Sequence, residues 1–381
     1  MILNSLLERA KQIGASDIHL VAGVPPAFRV DGQIISHDSP ALKPQQILDI
    51  ATEILTPSQL AALEHNRELC FSLFKDGARA SRVTLYYSAG SVEIAARVSE
   101  ERVRSIRDLN LPPFVESIPK MTRGLVIVTG PTGTGKTTTL NYIIDHMNSS
   151  RRLKIVTIED PVEYTHKHKK SLVVQQEIGL DAHSFGKALV CSLRLDPDVI
   201  VIGEMRDLET ISTALVAAET GHLVLATLHT PDAAGSVDRI IGVFSVQQRE
   251  QIRMQLANTL QAVIAQKLLP RASGKGRTLA CEILTTTTAV RSHIREGDVF
   301  KLYSIMQTGQ GRGMQTMDAA LFEQYQRGII TYETAVENAA YPENMHRGYY
   351  GASTQMRTSA QSQRQGTRAG TSKDERVAAG D

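Results

Sequence analysis

The sequence predicts an α/β protein: a mixed helix–strand region followed by a parallel-sheet region. Three observations carry this expectation. From Gly124 onward, short apolar runs alternate with helical stretches. One run ends in a glycine-rich loop that opens a helix, residues 130–137 (GPTGTGKT). Before residue 100 the apolar runs are joined by tight-turn dipeptides instead, Asp31-Gly32 and Ala89-Gly90.

The elements follow in order. The N-terminus, MILNSLLERAKQIGAS, carries charges inside its apolar stretch. That excludes a signal peptide and predicts an amphipathic helix. Phe28-Arg29-Val30 and Gln33-Ile34-Ile35 flank Asp31-Gly32, a hairpin signal because this dipeptide tolerates positive φ. Residues 79–88 and 91–98 form a second strand pair around Ala89-Gly90. A two-residue turn there sets Ser88 opposite Ser91, and the same register sets Arg82 opposite Arg97. Like charges directly opposite each other repel, and an anion held between them would offset that cost. Residues 101–120 contain Asn110, Pro112, Pro113 and Pro119, punctuation that predicts a linker.

Beyond it, residues 125–130, 153–159, 198–204 and 222–229 are near-continuously apolar. Such strands, separated by helical stretches, argue for a parallel sheet covered on both faces. After about residue 285 the pattern is helical, and from 346 it is mostly Ser, Gln, Gly, Thr and Arg. With so little apolar surface to offset ordering entropy, 346–381 is expected to be a disordered tail. The expected division is 1–100, a linker 101–120, 121–285, a helical region 286–345, and the tail.

Bulk properties exclude some classes. The 381 residues suffice for two or three domains. The net charge of +2, without a basic stripe in the folded part, argues against a nucleic-acid partner. No apolar run approaches the ~20 residues of a membrane span. Cys70, Cys191 and Cys281 are far apart, odd in number and without a CxxC pair, which fits the reducing cytosol and no zinc site.

The loop carries the most specific chemistry. Gly130, Pro131, Thr132, Gly133, Thr134, Gly135, Lys136 and Thr137 match GxxxxGK[ST]. Its glycines allow backbone N–H groups to turn in around phosphate oxygens. Lys136 is placed to reach the β and γ phosphates of ATP, and Thr137 to ligate Mg²⁺. The helix starting there, with Thr138 in its first turn, points its positive end at the anion. Glu204 ends the run VIVIGE, at the strand end that faces the ligand crevice of a parallel sheet. A carboxylate there can orient and activate a water. His229 ends the run HLVLATLH and belongs at the same edge, whereas His222 starts it.

Further blocks join this loop: 14–32 (GASDIHLVAGVPPAFRVDG), 157–164 (TIEDPVEY), 193–207 (LRLDPDVIVIGEMRD) and 220–233 (TGHLVLATLHTPDA). Together they resemble the type II/type IV secretion ATPase family, and within it the pilus-retraction branch, from residue 1 to about 345. The resemblance implies a PAS-like N-terminal domain and a RecA-like P-loop domain, assembled as a homohexameric ring. It implies ATP hydrolysis that powers pilus retraction and twitching motility. The ring would act on an inner-membrane platform protein, with a paralogous retraction ATPase as a further partner. It would be cytoplasmic, on the inner face of the bacterial inner membrane, touching the bilayer through that partner.

The resemblance also implies roles for residues. Many P-loop ATPases carry an Asp before the water-activating Glu, but here that position is Gly203. Thr137 and waters would then hold Mg²⁺, helped by Glu159, Asp160 or Glu163. Both His222 and His229 fall in the family's histidine block. Arg82 and Arg97 match arginines that act as fingers on the nucleotide of a ring neighbour. Residues 289–298 (AVRSHIREGD) resemble a helix that retraction members need. One departure is Ala89-Gly90, where retraction members often carry a basic residue. Extension and secretion members typically add an N-terminal domain and a four-cysteine zinc module, which favours retraction over those alternatives here. An accessory retraction paralogue is separated less well. A docking subunit without turnover fits poorly with Lys136, Glu204 and His229, and a small-molecule kinase leaves the N-terminal region unexplained.

Overall fold

The computed structural model describes residues 2–30, 32–75, 78–98 and 103–346. The tail expected at 346–381 lies outside them beyond His346, as does Asp31 of the first hairpin turn.

The first sheet is antiparallel and has six strands: β1 (Asp17–Leu20), β2 (Ala27–Val30), β3 (Gln33–Ser36), β4 (Glu68–Lys75), β5 (Ala78–Ser88) and β6 (Ser91–Val98), in the order β3-β2-β1-β6-β5-β4. Helices α1 (Ile2–Gln12), α2 (Pro44–Ile54) and α3 (Pro57–Asn66) accompany it. Leu3, Leu6, Leu7 and Ala10 of α1 recur at helical spacing and are buried with Ile18, Ile50, Leu85 and Ile94. The expected pairings hold: Val30 faces Gln33, Ser88 faces Ser91, and Arg82 faces Arg97. Ala89 and Gly90 both take positive φ, 47° and 82°. A two-residue hairpin turn with this twist requires that conformation at both central positions.

The second sheet has seven strands: β7 (Gly124–Thr129), β8 (Lys154–Glu159), β9 (Leu172–Glu177), β10 (Val199–Ile202), β11 (Leu223–Thr227), β12 (Leu260–Pro270) and β13 (Arg277–Thr285), in the order β13-β12-β7-β11-β10-β8-β9. Every pairing is parallel except that of β12 with β13. The four apolar runs read from sequence are β7, β8, β10 and β11, its central strands. All residues of β7, β10 and β11 are buried. Helices α4 (Lys136–Ser150), α5 (Phe185–Ser192), α6 (Leu208–Glu219), α7 (Ala233–Gly242) and α8 (Arg249–Thr259) connect or flank these strands. Leu140, Ile143, Ile144 and Met147 of α4 pack on one side with Val126 and Val128. Ala214, Leu215 and Ala218 of α6 pack on the other with Ile127 and Ile202. Toward the C-terminus lie α9 (Thr288–Glu296), α10 (Leu302–Thr308), α11 (Met317–Gln326), α12 (Tyr332–Asn338) and α13 (Glu343–His346).

The stretch 101–120 differs from the linker reading. A 3-10 helix, Pro113–Lys120, buries Val115 and Ile118 in the core that contains β7 and α4. Its prolines mark that helix: Pro113 stands in the first turn, where a missing N–H costs nothing.

Candidate active site

The carboxyl ends of β7, β11, β10 and β8 lie side by side, because Ile127, Ala226, Ile202 and Ile158 share one row of the parallel ladder. The chain leaves that row as the 130–135 loop, His229, Glu204 and the 159–163 turn. This is the ligand edge of an open α/β sheet.

In the loop, Gly130 has φ 140°, and a Cβ there would lie 2.5 Å from Gln266 O and 2.8 Å from Thr134 Oγ1. No side chain fits at this position. Gly133 and Gly135 are left-handed, and α4 begins at Lys136. Thr134 Oγ1 donates to Pro131 O at 2.8 Å, closing the loop on itself. Lys136 Nζ donates to Gly130 O at 2.8 Å and Pro131 O at 3.0 Å. Burial lowers the Lys136 pKa, opposed by the charges of Glu204 and Glu163. Pro131, Thr132 and Gly133 are exposed, while Thr137 and Thr138 are half-buried in the first turn of α4.

Glu204 is held from two sides. Arg206 Nε lies 2.7 Å from Oε1, and His229 Nε2 lies 3.2 Å from Oε2. A carboxylate is acceptor-only, so Nε2 carries the hydrogen of that contact. Arg206, His229 and Thr230 line a cleft of about 340 Å³ with Met205, Leu228 and Arg239. Arg206 was not singled out from sequence, although it stands two positions after Glu204. Gly203 has a steric reason. A Cβ would lie 3.1 Å from Ile158 O and 3.3 Å from the Glu159 Cα, both backbone atoms of β8. An Asp before the Glu would therefore press on the neighbouring strand.

Glu159, expected to help hold Mg²⁺, and His222, of the histidine block, are engaged elsewhere. Glu159 is buried, and its Oε1 accepts from Thr157 Oγ1 at 2.7 Å and Gln175 Nε2 at 3.0 Å. Burial raises its pKa against those hydrogen bonds. It is a core carboxylate that braces β8 against β9, and this burial removes it from the set of solvent-facing acids. His222 precedes β11, at the opposite edge of the sheet from His229. Its Nδ1 lies 3.0 Å from Ala217 O and 3.3 Å from Thr220 Oγ1, so within one chain it braces the turn after α6. Glu163 is exposed. Its charge reaches both Lys136 and Arg82.

Each of the two arginines has a partner within the first sheet. Arg97 Nε pairs with Asp17 Oδ1 at 3.0 Å across β1, and Arg82 Nε lies 3.3 Å from Cys70 Sγ on β4. Burial opposes the charge on Arg82, yet Cys70, Asp160 and Glu163 together raise its pKa. Charges of its own chain, those of Asp160 and Glu163, thus act on Arg82.

Comparison with known proteins gives the family. The family model described as "Type II/IV secretion system protein" matches residues 94–377. The chain belongs to this family. The type IV pilus retraction ATPase PilT of Pseudomonas aeruginosa is 42% identical over 344 residues, covering 90% of this chain and 100% of the relative. The type IV pilus ATPase PilU of the same organism is 38% identical, covering 89% of each. A crystal structure of the pilus retraction motor PilT with bound ADP superposes with a TM-score of 0.84 at 44% identity, covering 90% of this chain and 98% of that one. Like its family, the chain is a P-loop ATPase. Among the described residues no helix is long and apolar enough to cross a membrane.

Proposed function

We propose that this chain is a motor that hydrolyses ATP to retract a type IV pilus. The observation that carries the reading is the match along the whole length of a retraction ATPase, with Lys136, Glu204 and His229 gathered at one sheet edge. The motor works as a homohexameric ring, with a PAS-like N-terminal module, at the cytoplasmic face of the inner membrane. It pushes on a platform protein there.

The residues divide the work. The backbone N–H groups of 130–135 and the Lys136 ammonium hold the phosphates, whose oxygens are better acceptors than the carbonyls Lys136 now meets. Thr137, with the exposed Glu163, would hold Mg²⁺, and the ion would supply charge neutralisation at the phosphates. Glu204 orients the attacking water and takes its proton, while His229 and Arg206 fix the carboxylate. Arg82 and Arg97 lie directly opposite each other, so both project from one face of their hairpin. They stabilise the phosphoryl charge of the nucleotide in their own subunit, a role that the reach of Arg82 to Asp160 and Glu163 supports.

Deleting the gene and scoring twitching and surface pili tests the reading. Hyperpiliated, non-twitching cells are expected. Bald cells point to an extension motor, and loss of twitching only when a paralogue is also absent points to an accessory motor. Unchanged pili and motility in every background would reject the pilus assignment.

A further inference from the structure

The strand that carries Arg82's neighbour is tied to the nucleotide turn by a carboxylate outside the site described above. Glu177 ends β9 and is 4% exposed. Its Oε2 accepts from Ser72 Oγ at 2.5 Å and from the Val162 backbone N–H at 3.0 Å. Ser72 lies on β4, buried, and is the residue directly opposite Arg82 in the β4–β5 ladder. Val162 is the residue before Glu163. One oxygen atom therefore holds the partner of Arg82 and the neighbour of Glu163. Glu177 is itself anchored, since its N–H donates to Asp181 Oδ2 at 2.9 Å. β4 and β9 are the outermost strands of their sheets, so this contact links the two sheets at their edges.

We propose that Ser72, Glu177 and the Val162 N–H form a latch that sets Arg82 against the Asp160–Glu163 turn. Ser72 and Glu177 are then positioning residues for hydrolysis, and the latch carries a shift of that turn into the first sheet. The idea rests on the reading that Arg82 serves the nucleotide of its own subunit. The physical basis is directional. A short hydrogen bond to a buried carboxylate is strong and geometrically demanding. If Val162 moves when the phosphates change, its shared acceptor oxygen moves, and Ser72 with it. A buried acid needs partners in any case. The particular feature here is that one partner stands opposite Arg82 in the β4–β5 ladder and the other directly before Glu163.

The full-length chain carrying Ser72→Ala, with Ser72→Thr as the hydroxyl-restoring control, provides the test. Two readouts are taken: amide hydrogen exchange across residues 160–164, and kcat and KM for ATP. The expected result is faster exchange in 160–164, a segment that Ser72 reaches through Glu177. With it, kcat falls roughly tenfold, the order set by a small misplacement of a reacting group, while KM stays within about twofold. Ser72→Thr restores both, and Glu177→Gln, which keeps one acceptor oxygen, retains more turnover than Glu177→Ala. Unchanged exchange in Ser72→Ala would overturn the latch. So would a loss of kcat that Ser72→Thr does not rescue, since that marks packing alone. Exchange is read without hydrolysis. A wild-type chain that turned over no ATP would sink the reading of the site, and the exchange comparison would still decide the latch.

Discussion

His229 Nε2 lies 3.2 Å from Glu204 Oε2, although 25 positions separate the two residues in sequence. The contact exists because β10 and β11 are parallel neighbours in register, Ile202 beside Ala226, so both residues leave the same sheet edge. Each strand end alone supplies a polar group. The pair supplies a carboxylate of fixed orientation, with Arg206 closing its other side.

Glu204→Gln keeps the shape but removes the proton acceptor and one of the two acceptor oxygens that Arg206 and His229 meet. General base catalysis contributes ~10²–10⁴-fold, so phosphate release is expected to fall by at least ~10²-fold. ADP affinity, set mainly by the 130–137 loop, is expected to stay within about threefold of wild type. Phosphate release and ADP titration on the same preparation check this. Turnover above a tenth of wild type would assign the base elsewhere.

Arg97 separates stability from catalysis. Its pair with Asp17 leaves the Arg97 side chain 67% exposed, and such pairs contribute ~0–1 kcal/mol. Arg97→Ala should therefore leave Tm nearly unchanged. Removing an arginine that stabilises the phosphoryl charge costs roughly 10³-fold in turnover, with nucleotide binding intact. A calorimetric scan beside a phosphate-release assay reads both quantities. Normal turnover in the folded variant would remove Arg97 from the site.

Gly203→Ala tests why no acid precedes Glu204. The added Cβ would lie 3.1 Å from Ile158 O and 3.3 Å from the Glu159 Cα, both on a buried strand with little room to give. Overpacking of this kind costs ~1–3 kcal/mol, so a drop of several degrees in Tm is expected. Gly242→Ala is the contrast, because nothing lies within 4 Å of a Cβ there. Thermal melts of the two variants should diverge, and equal melts would show that β8 yields without cost.

The central strands were legible because each is short, apolar and bounded by turn signals, and Glu204 and His229 were legible because they stand at strand ends. The Arg82–Arg97 register followed from Ala89-Gly90 alone. What relieves that register was not legible, since Asp17 and Cys70 reach the arginines only once β1 and β4 flank the hairpin. β9 and β12 were not read as strands. The first mixes exposed Leu172 and Val174 with glutamines, and the second buries Gln266. Polar residues interrupt the apolar ones in both, and pairing in the sheet decides both. Glu159 differs for the same reason. Its burial depends on Gln175, brought beside it by β9.

His166 gives the chain a dependence on pH. The ring is buried between β9 and α4, with Gln175 Oε1 accepting from its backbone N–H at 2.7 Å and Nε2 lying 3.1 Å from Asn141 Oδ1. Burial lowers its pKa from 6.5 to about 4, against the charge of nearby Asp145 and with that of Lys169. The folded chain thus binds the proton less readily than the unfolded chain. The stability this contributes is fully present above pH 6.5 and is lost as pH falls from there through about 4. The loss over that window is on the order of 3 kcal/mol, from ~1.4 kcal/mol per pKa unit. His166→Gln retains a hydrogen-bonding side chain that does not titrate in that range. Its denaturant midpoint at pH 7 is expected to lie below that of wild type, and the difference should narrow steadily toward pH 4.5. Urea titrations of both chains across that range measure the gap, and a gap constant with pH would mean that His166 takes up its proton equally in the folded and unfolded states.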